Sequence, residues 1–168
     1  GMELSEEEAD RIIYENDLRR ARERALYLME SRDHSYRELF DKLEKNYSED
    51  ICFEVCNRLA EIGVINDRRY AEKLCRQLFE VKKLGRYRVR QEMRLKGLGS
   101  EIIEETMENF SEEDEPFERL EKLVEQKYER YLTDRKGVER VKNALARKGY
   151  SFGEIKEVLD LYDLDFDD

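Results

Sequence analysis

Arg86, Arg90 and Arg94 stand four residues apart, so on a helix their guanidinium groups line one face. Such a stripe can hold phosphate or carboxylate through charge-assisted hydrogen bonds. Val89 and Met93 form the adjacent apolar face, which would be buried. Lys82, Lys83, Arg88 and Lys96 widen the positive region: from Lys82 to Lys96 there are seven basic residues and one acid, Glu92. A second basic run holds Arg135, Lys136, Arg140, Lys142, Arg147 and Lys148. The ordinary alternative is a solvated face paired with the acidic helix that follows. Seven to one is an unusual ratio for solvation alone, so both runs are expected to bind a partner, either phosphate or an acidic protein surface.

Other reactive residues point to no chemistry. Cys52 and Cys56 lie one helical turn apart, but a structural zinc needs four ligands and only Cys75 and His34 remain to complete it. The cysteines therefore read as packed and reduced, and no metal or cofactor is expected. His34 is the sole histidine, and Ser35 beside it reads as a helix cap rather than a nucleophile. Carboxylates come in solvated runs such as Glu112-Glu113-Asp114, and Gly97-Leu98-Gly99 is too short to cradle a nucleotide phosphate. No enzyme is expected.

The whole chain of 168 residues carries a net charge of −10, which argues against a general nucleic-acid coat protein. Charge is sorted by element, however: from Glu101 to Glu118 there are nine acids and no base, and the tail from Asp160 is acidic again. A local basic face survives the acidic total. With no long apolar run and an odd number of cysteines, a cytoplasmic protein without membrane contact is expected. Gly1 ahead of Met2 reads as a purification scar before a native start.

These basic runs sit in a repeat. The segments Glu38–Ser48, Val89–Leu98 and Val141–Ser151 are similar, and their turns at Asn46, Gly97 and Gly149 recur at about fifty residues. Apolar spacing is helical throughout, as in Leu39/Leu43, Leu74/Leu78 and Val141/Leu145. Ser5, Ser35 and Ser151 each precede a glutamate by three residues, the signature of a capping box, and Gly63, Gly97 and Gly149 mark helix ends. Helices are predicted near residues 5–30, 35–45, 49–62, 67–83, 86–96, 100–109, 115–132, 135–148 and 152–162. Ser111–Glu115, ahead of Pro116 (the only proline), is the expected linker. The expected organisation is a helical extension over 1–19, then three-helix repeats over 20–63, 64–110 and 111–168, the last with the acidic tail. The fold class is all-α, an elongated and curved array of three tandem three-helix repeats, and a monomer is expected.

Four segments in order resemble the RecX family, the regulators of bacterial RecA recombinase. They are Arg32-Asp33-His34-Ser35 with Glu38-Leu39 and Lys42-Leu43; Ile65-Asn66-Asp67-Arg68-Arg69-Tyr70-Ala71; Gly85, Val89, Glu92, Met93, Lys96 and Gly97; and Leu145, Arg147, Lys148, Gly149 and Tyr150 with Ile155 and Val158. The match spans roughly residues 20 to 162. It implies a protein that lies in the groove of the RecA filament on single-stranded DNA and inhibits ATPase and strand exchange, in recombination, DNA repair and the SOS response, with no chemistry of its own. The family usually has two glycines before the central basic helix, where Lys83 holds the first place here. Basic residues common just upstream give way to Phe79 and Val81, and a charged helix replaces the β-rich segment often found before the first repeat.

Two other classes stay open from the residues alone. A direct single-stranded DNA binder would stack bases on tyrosines such as Tyr87, with Tyr150 placed better for packing. A helical peptide-binding adaptor is the other, although the period differs from the 34 residues of tetratricopeptide arrays.

Overall fold

The computed structural model describes residues 5–166, the side chain of Glu113 excepted. Among them are helices and no strands: α1 (Glu6–Ser31), α2 (Tyr36–Glu44), α3 (Glu49–Glu61), α4 (Asp67–Arg76), α5 (Arg86–Leu95), α6 (Ser100–Glu113), α7 (Pro116–Leu123), α8 (Arg135–Arg147) and α9 (Phe152–Leu159). The protein is all-α, as its periodicity predicts. The caps form at the expected serines. Ser35 and Ser151 each accept from the backbone of Glu38 and Glu154 and receive the reciprocal glutamate bond, while Ser5 accepts from Glu8 N. Gly63, Gly97 and Gly149 take φ of 81°, 81° and 100°, the left-handed conformation that closes a helix.

Two features differ from expectation. The first helices of the second and third repeats are not regular to their ends: α4 continues as a π turn over Gln77–Val81, and α7 as a π turn over Val124–Tyr128 followed by a 3-10 turn, Glu129–Tyr131. Periodicity of apolar residues does not separate a π turn from the α-helix it interrupts. The expected linker is also mostly helical. α6 runs through Ser111 to Glu113, leaving Asp114 and Glu115 outside any helix before Pro116. Asp114 is held there by Arg119, 2.9 Å away.

The chain divides into two compact units. One comprises Gly1–Tyr70 with Lys96–Gly99. Its core takes Ala21, Ala25 and Leu28 from α1, Leu39, Phe40 and Leu43 from α2, and Ile51, Cys52, Val55, Cys56 and Leu59 from α3. The alanines let α1 approach α3 closely, and Tyr14 Oη donates to Glu54 Oε2 at 2.6 Å farther along the same pair. The Lys96–Gly97 turn docks on the start of α2: Ser35 Oγ donates to the Lys96 carbonyl at 2.5 Å, and a Cβ on Gly97 would lie 2.6 Å from Arg37 Cβ.

The other unit comprises Ala71–Leu95 with Ser100–Asp168. One core there joins Leu120, Leu123 and Val124 with Val138, Val141 and Leu145 of α8 and Ile155, Val158 and Leu159 of α9. Phe79, in the first π turn, is buried and stacks on Phe110 with centroids 4.6 Å apart. Arg119 lies over the Phe79 ring at 4.6 Å and donates to the Leu84 carbonyl at 3.2 Å. Lys148–Gly149 repeats the docking seen at Lys96–Gly97. Gly85 N donates to the Lys148 carbonyl at 2.8 Å, and a Cβ on Gly149 would lie 2.4 Å from Arg88 N. Each Lys-Gly turn thus seats its carbonyl on the first residues of a basic helix or its counterpart.

Candidate partner-binding face

α5 buries Val89 and Met93 and turns its arginines outward, as their spacing predicts. The three members of the stripe are not equivalent. Arg90 is only partly exposed and grips Glu104 of α6 with two bonds, 2.6 and 3.2 Å, which hold the Glu104 carboxyl below its ordinary range. Arg86 and Arg94 are exposed and have no direct ion pair among the described residues, though both add to the positive field at Glu104. The solvated-face alternative therefore describes Arg90, and the open charge of the stripe rests on Arg86 and Arg94.

Arg88 has a structural task. It pairs with Glu92 at 2.9 Å and donates to the Arg147 carbonyl at 3.2 Å, tying α5 to the end of α8. This junction gathers Arg88, Lys148 and a residue outside the predicted set, Lys127. Burial, with Lys127 and Arg88 nearby, lowers the pKa of Lys148. Lys82 is exposed, whereas Lys83 is half-buried with φ of 57° and its carbonyl accepts from Tyr150 Oη at 2.7 Å. Lys96 is half-buried, with its carbonyl on Ser35.

On α8 the predicted residues fall on different faces. Arg135 and Lys136 are exposed in the first turn, about 18 Å along the axis from Arg147. Lys142 pairs with Glu139 at 3.6 Å and lines a groove toward α9 with Phe152 and Leu164. Arg140 and Arg147 instead border a cleft of about 410 Å³ with Tyr128, Tyr131, Asn143 and Ala144. The second π turn carries Tyr128 to this cleft and the 3-10 turn carries Tyr131. Neither tyrosine stood out in the sequence. The available signal was Arg140, Asn143, Ala144 and Arg147 at helical spacing, facing two tyrosines three residues apart.

The reactive residues are occupied structurally. His34 is buried. Its Nδ1 lies 3.0 Å from the Arg32 carbonyl and its Nε2 3.2 Å from Lys42 Nζ. A carbonyl only accepts, so Nδ1 carries the proton and Nε2 accepts from the ammonium. Ser35 spends its hydroxyl hydrogen on Lys96. Cys52, Cys56 and Cys75 are free and buried, and burial pushes the Cys56 and Cys75 thiols up to about 12 and about 11. Among the described residues no group of three His, Cys, Asp or Glu side chains could hold a metal, and no helix is long and apolar enough to cross a membrane. Tyr150 is buried, whereas Tyr87 is 63% exposed.

Compact helical units, each with a Lys-Gly turn docked inside it and with charge sorted by helix on the surface, define an all-helical repeat protein. The chain belongs to the RecX family: models of the first, second and third RecX three-helix domains match residues 21–59, 66–107 and 113–159. It is similar to the regulatory protein RecX of Clostridioides difficile (strain 630), 28% identical over 170 residues covering 100% of this chain and 79% of the relative. It is also similar to that of Trichlorobacter lovleyi, 29% identical over 140 residues covering 81% of this chain and 91% of the relative. Among solved structures, the crystal structure of RecX from Lactobacillus salivarius superposes with a TM-score of 0.76 at 25% identity, over 87% of this chain and 96% of that one.

Proposed function

We propose that the protein is a non-enzymatic inhibitor of RecA recombinase that binds the recombinase filament on single-stranded DNA and blocks ATPase and strand exchange. The observation that carries this reading is open positive charge on α5 of an acidic protein. Arg86 and Arg94 keep no ion pair among the described residues although the chain has 42 acids to 32 bases. An acidic total disfavours stable binding to naked DNA, while a local basic face suits acidic recombinase surface or phosphate exposed within the filament. Membership of a family of regulatory proteins supports the regulatory part of the reading.

Occupation of the filament by such a face would compete with the second DNA strand and disturb the contacts between recombinase subunits that ATP turnover needs. A binding titration on single-stranded DNA, with and without recombinase, tests this. Tight binding only when recombinase and ATP are present is expected. Equal affinity for naked single-stranded DNA would favour the direct DNA-binding class instead.

A further inference from the structure

The cleft between the Val124–Tyr131 turns and α8 has features that packing alone leaves unexplained. Several exposed cations take a carboxylate within one helical turn: Arg37 with Asp41, Arg58 with Glu61, Arg76 with Glu80 and Lys156 with Asp160. Arg140 and Arg147 have no such partner among the described residues, and Lys127 and Lys148 add positive charge at the same end of α8. The two guanidinium groups stand seven residues apart, so both edge one side of α8, with Asn143 and the small Ala144 between them. Facing them, a π turn and a 3-10 turn interrupt what would otherwise be regular helix and bring Tyr128 and Tyr131 to the opposite wall. Such π turns are uncommon and occur often at functional sites. Tyr131 remains 45% exposed, and the Arg130 guanidinium over its ring at 4.9 Å shows that this ring takes a planar cationic group.

We propose that this cleft binds one nucleotide of single-stranded DNA, with the base stacked on Tyr131 and the flanking phosphates held by Arg140 and Arg147. The volume of about 410 Å³ falls within the span of small-molecule sites, roughly 300–1,000 Å³. Aromatic stacking beside cations is the chemistry by which proteins hold single strands without reading sequence. Asn143 offers both an amide donor and a carbonyl acceptor to the base edge. An acidic peptide would use the arginines but leave the tyrosine wall without a role. The site shares Arg140 and Arg147 with the basic runs but needs no recombinase, so its failure and that of the inhibitor reading are separable.

The test is anisotropy of a fluorescently labelled oligodeoxythymidylate with the full chain at low salt and no recombinase. Weak but saturable binding is expected. Tyr131→Ala should weaken it by about tenfold or more, with Tyr131→Phe close to wild type, since stacking needs the ring and not the hydroxyl. Arg140→Gln should weaken it too and flatten the logarithmic salt dependence by about 0.7. Tyr27→Ala, an exposed tyrosine of α1 outside the cleft and the basic runs, should change nothing. Absence of saturable binding by the wild type overturns the proposal. So does a folded Tyr131→Ala variant that binds like wild type, or a Tyr131→Phe variant as weak as the alanine. Competition by oligoglutamate as effective as by unlabelled oligonucleotide would show that the cleft reads charge alone, and would overturn it as well.

Discussion

His34 shows how one residue can look catalytic in a sequence and be structural in the fold. It is buried between the Arg32 carbonyl and the Lys42 ammonium, and burial, aided by the charges of Arg32 and Lys42, lowers its pKa from an ordinary value of 6.5. The unfolded chain then takes up a proton that the folded chain resists. Stability is whole above the unfolded pKa, falls as pH drops from about 6.5 toward the folded value, and levels off below it, at a slope of at most about 1.4 kcal/mol per pH unit. Urea unfolding followed between pH 7.5 and 5.5 should show this loss in the wild type and a flatter profile in His34→Asn. Parallel profiles would mean that His34 titrates alike in both states. Lys83 carries the opposite lesson. It stands where the RecX resemblance places a glycine, and its φ of 57° shows why a glycine suits that position. A left-handed non-glycine residue costs about 1–2 kcal/mol, so the departure visible in the sequence has a measurable backbone counterpart.

At the scale of elements, the Lys-Gly turns matter most. Gly85 and Gly149 meet so closely that a Cβ on Gly85 would lie 2.5 Å from the Gly149 carbonyl carbon and oxygen. Both neighbours are backbone and cannot turn aside. Gly85→Ala should therefore destabilise the protein by about 2–3 kcal/mol, as overpacking does. Gly99→Ala, with nothing within 4 Å of its Cβ, should cost little by the same urea measurement. Equal effects would contradict the docking described for α5 and α8. Helices, caps and positive-φ glycines were legible because period, serine–glutamate spacing and chain reversal are local signals. The π turns were not, since Phe79, Tyr128 and Tyr131 keep a helical apolar rhythm while the hydrogen bonding shifts by one residue. Nor was the role of Arg119 legible, because its partners Asp114, Leu84 and Phe79 are set by tertiary packing.

At the scale of the molecule, the sorting of charge is the main feature, and the structure divides the basic stripe into two kinds of residue. Arg90 is committed to Glu104 and Arg88 to Glu92 and the Arg147 carbonyl, whereas Arg86 and Arg94 are open. Spacing alone placed all of them on or beside one face, because it reports the face of a helix and not what a neighbouring helix brings to it. The distinction sharpens the experiment. Replacing Arg86 and Arg94 together by glutamine removes the open charge, keeps good helix formers, and leaves the Arg90–Glu104 pair and the buried Val89 and Met93 in place. Helicity should be nearly unchanged. The direct test is inhibition of recombinase ATPase on single-stranded DNA, titrated with wild type, with Arg86→Gln/Arg94→Gln and with Arg90→Gln. The double variant should need at least about tenfold more protein for half-inhibition, as loss of two charge-assisted contacts implies, and Arg90→Gln should stay close to wild type. A folded double variant that inhibits as well as wild type would contradict the account and leave the stripe a solvated face.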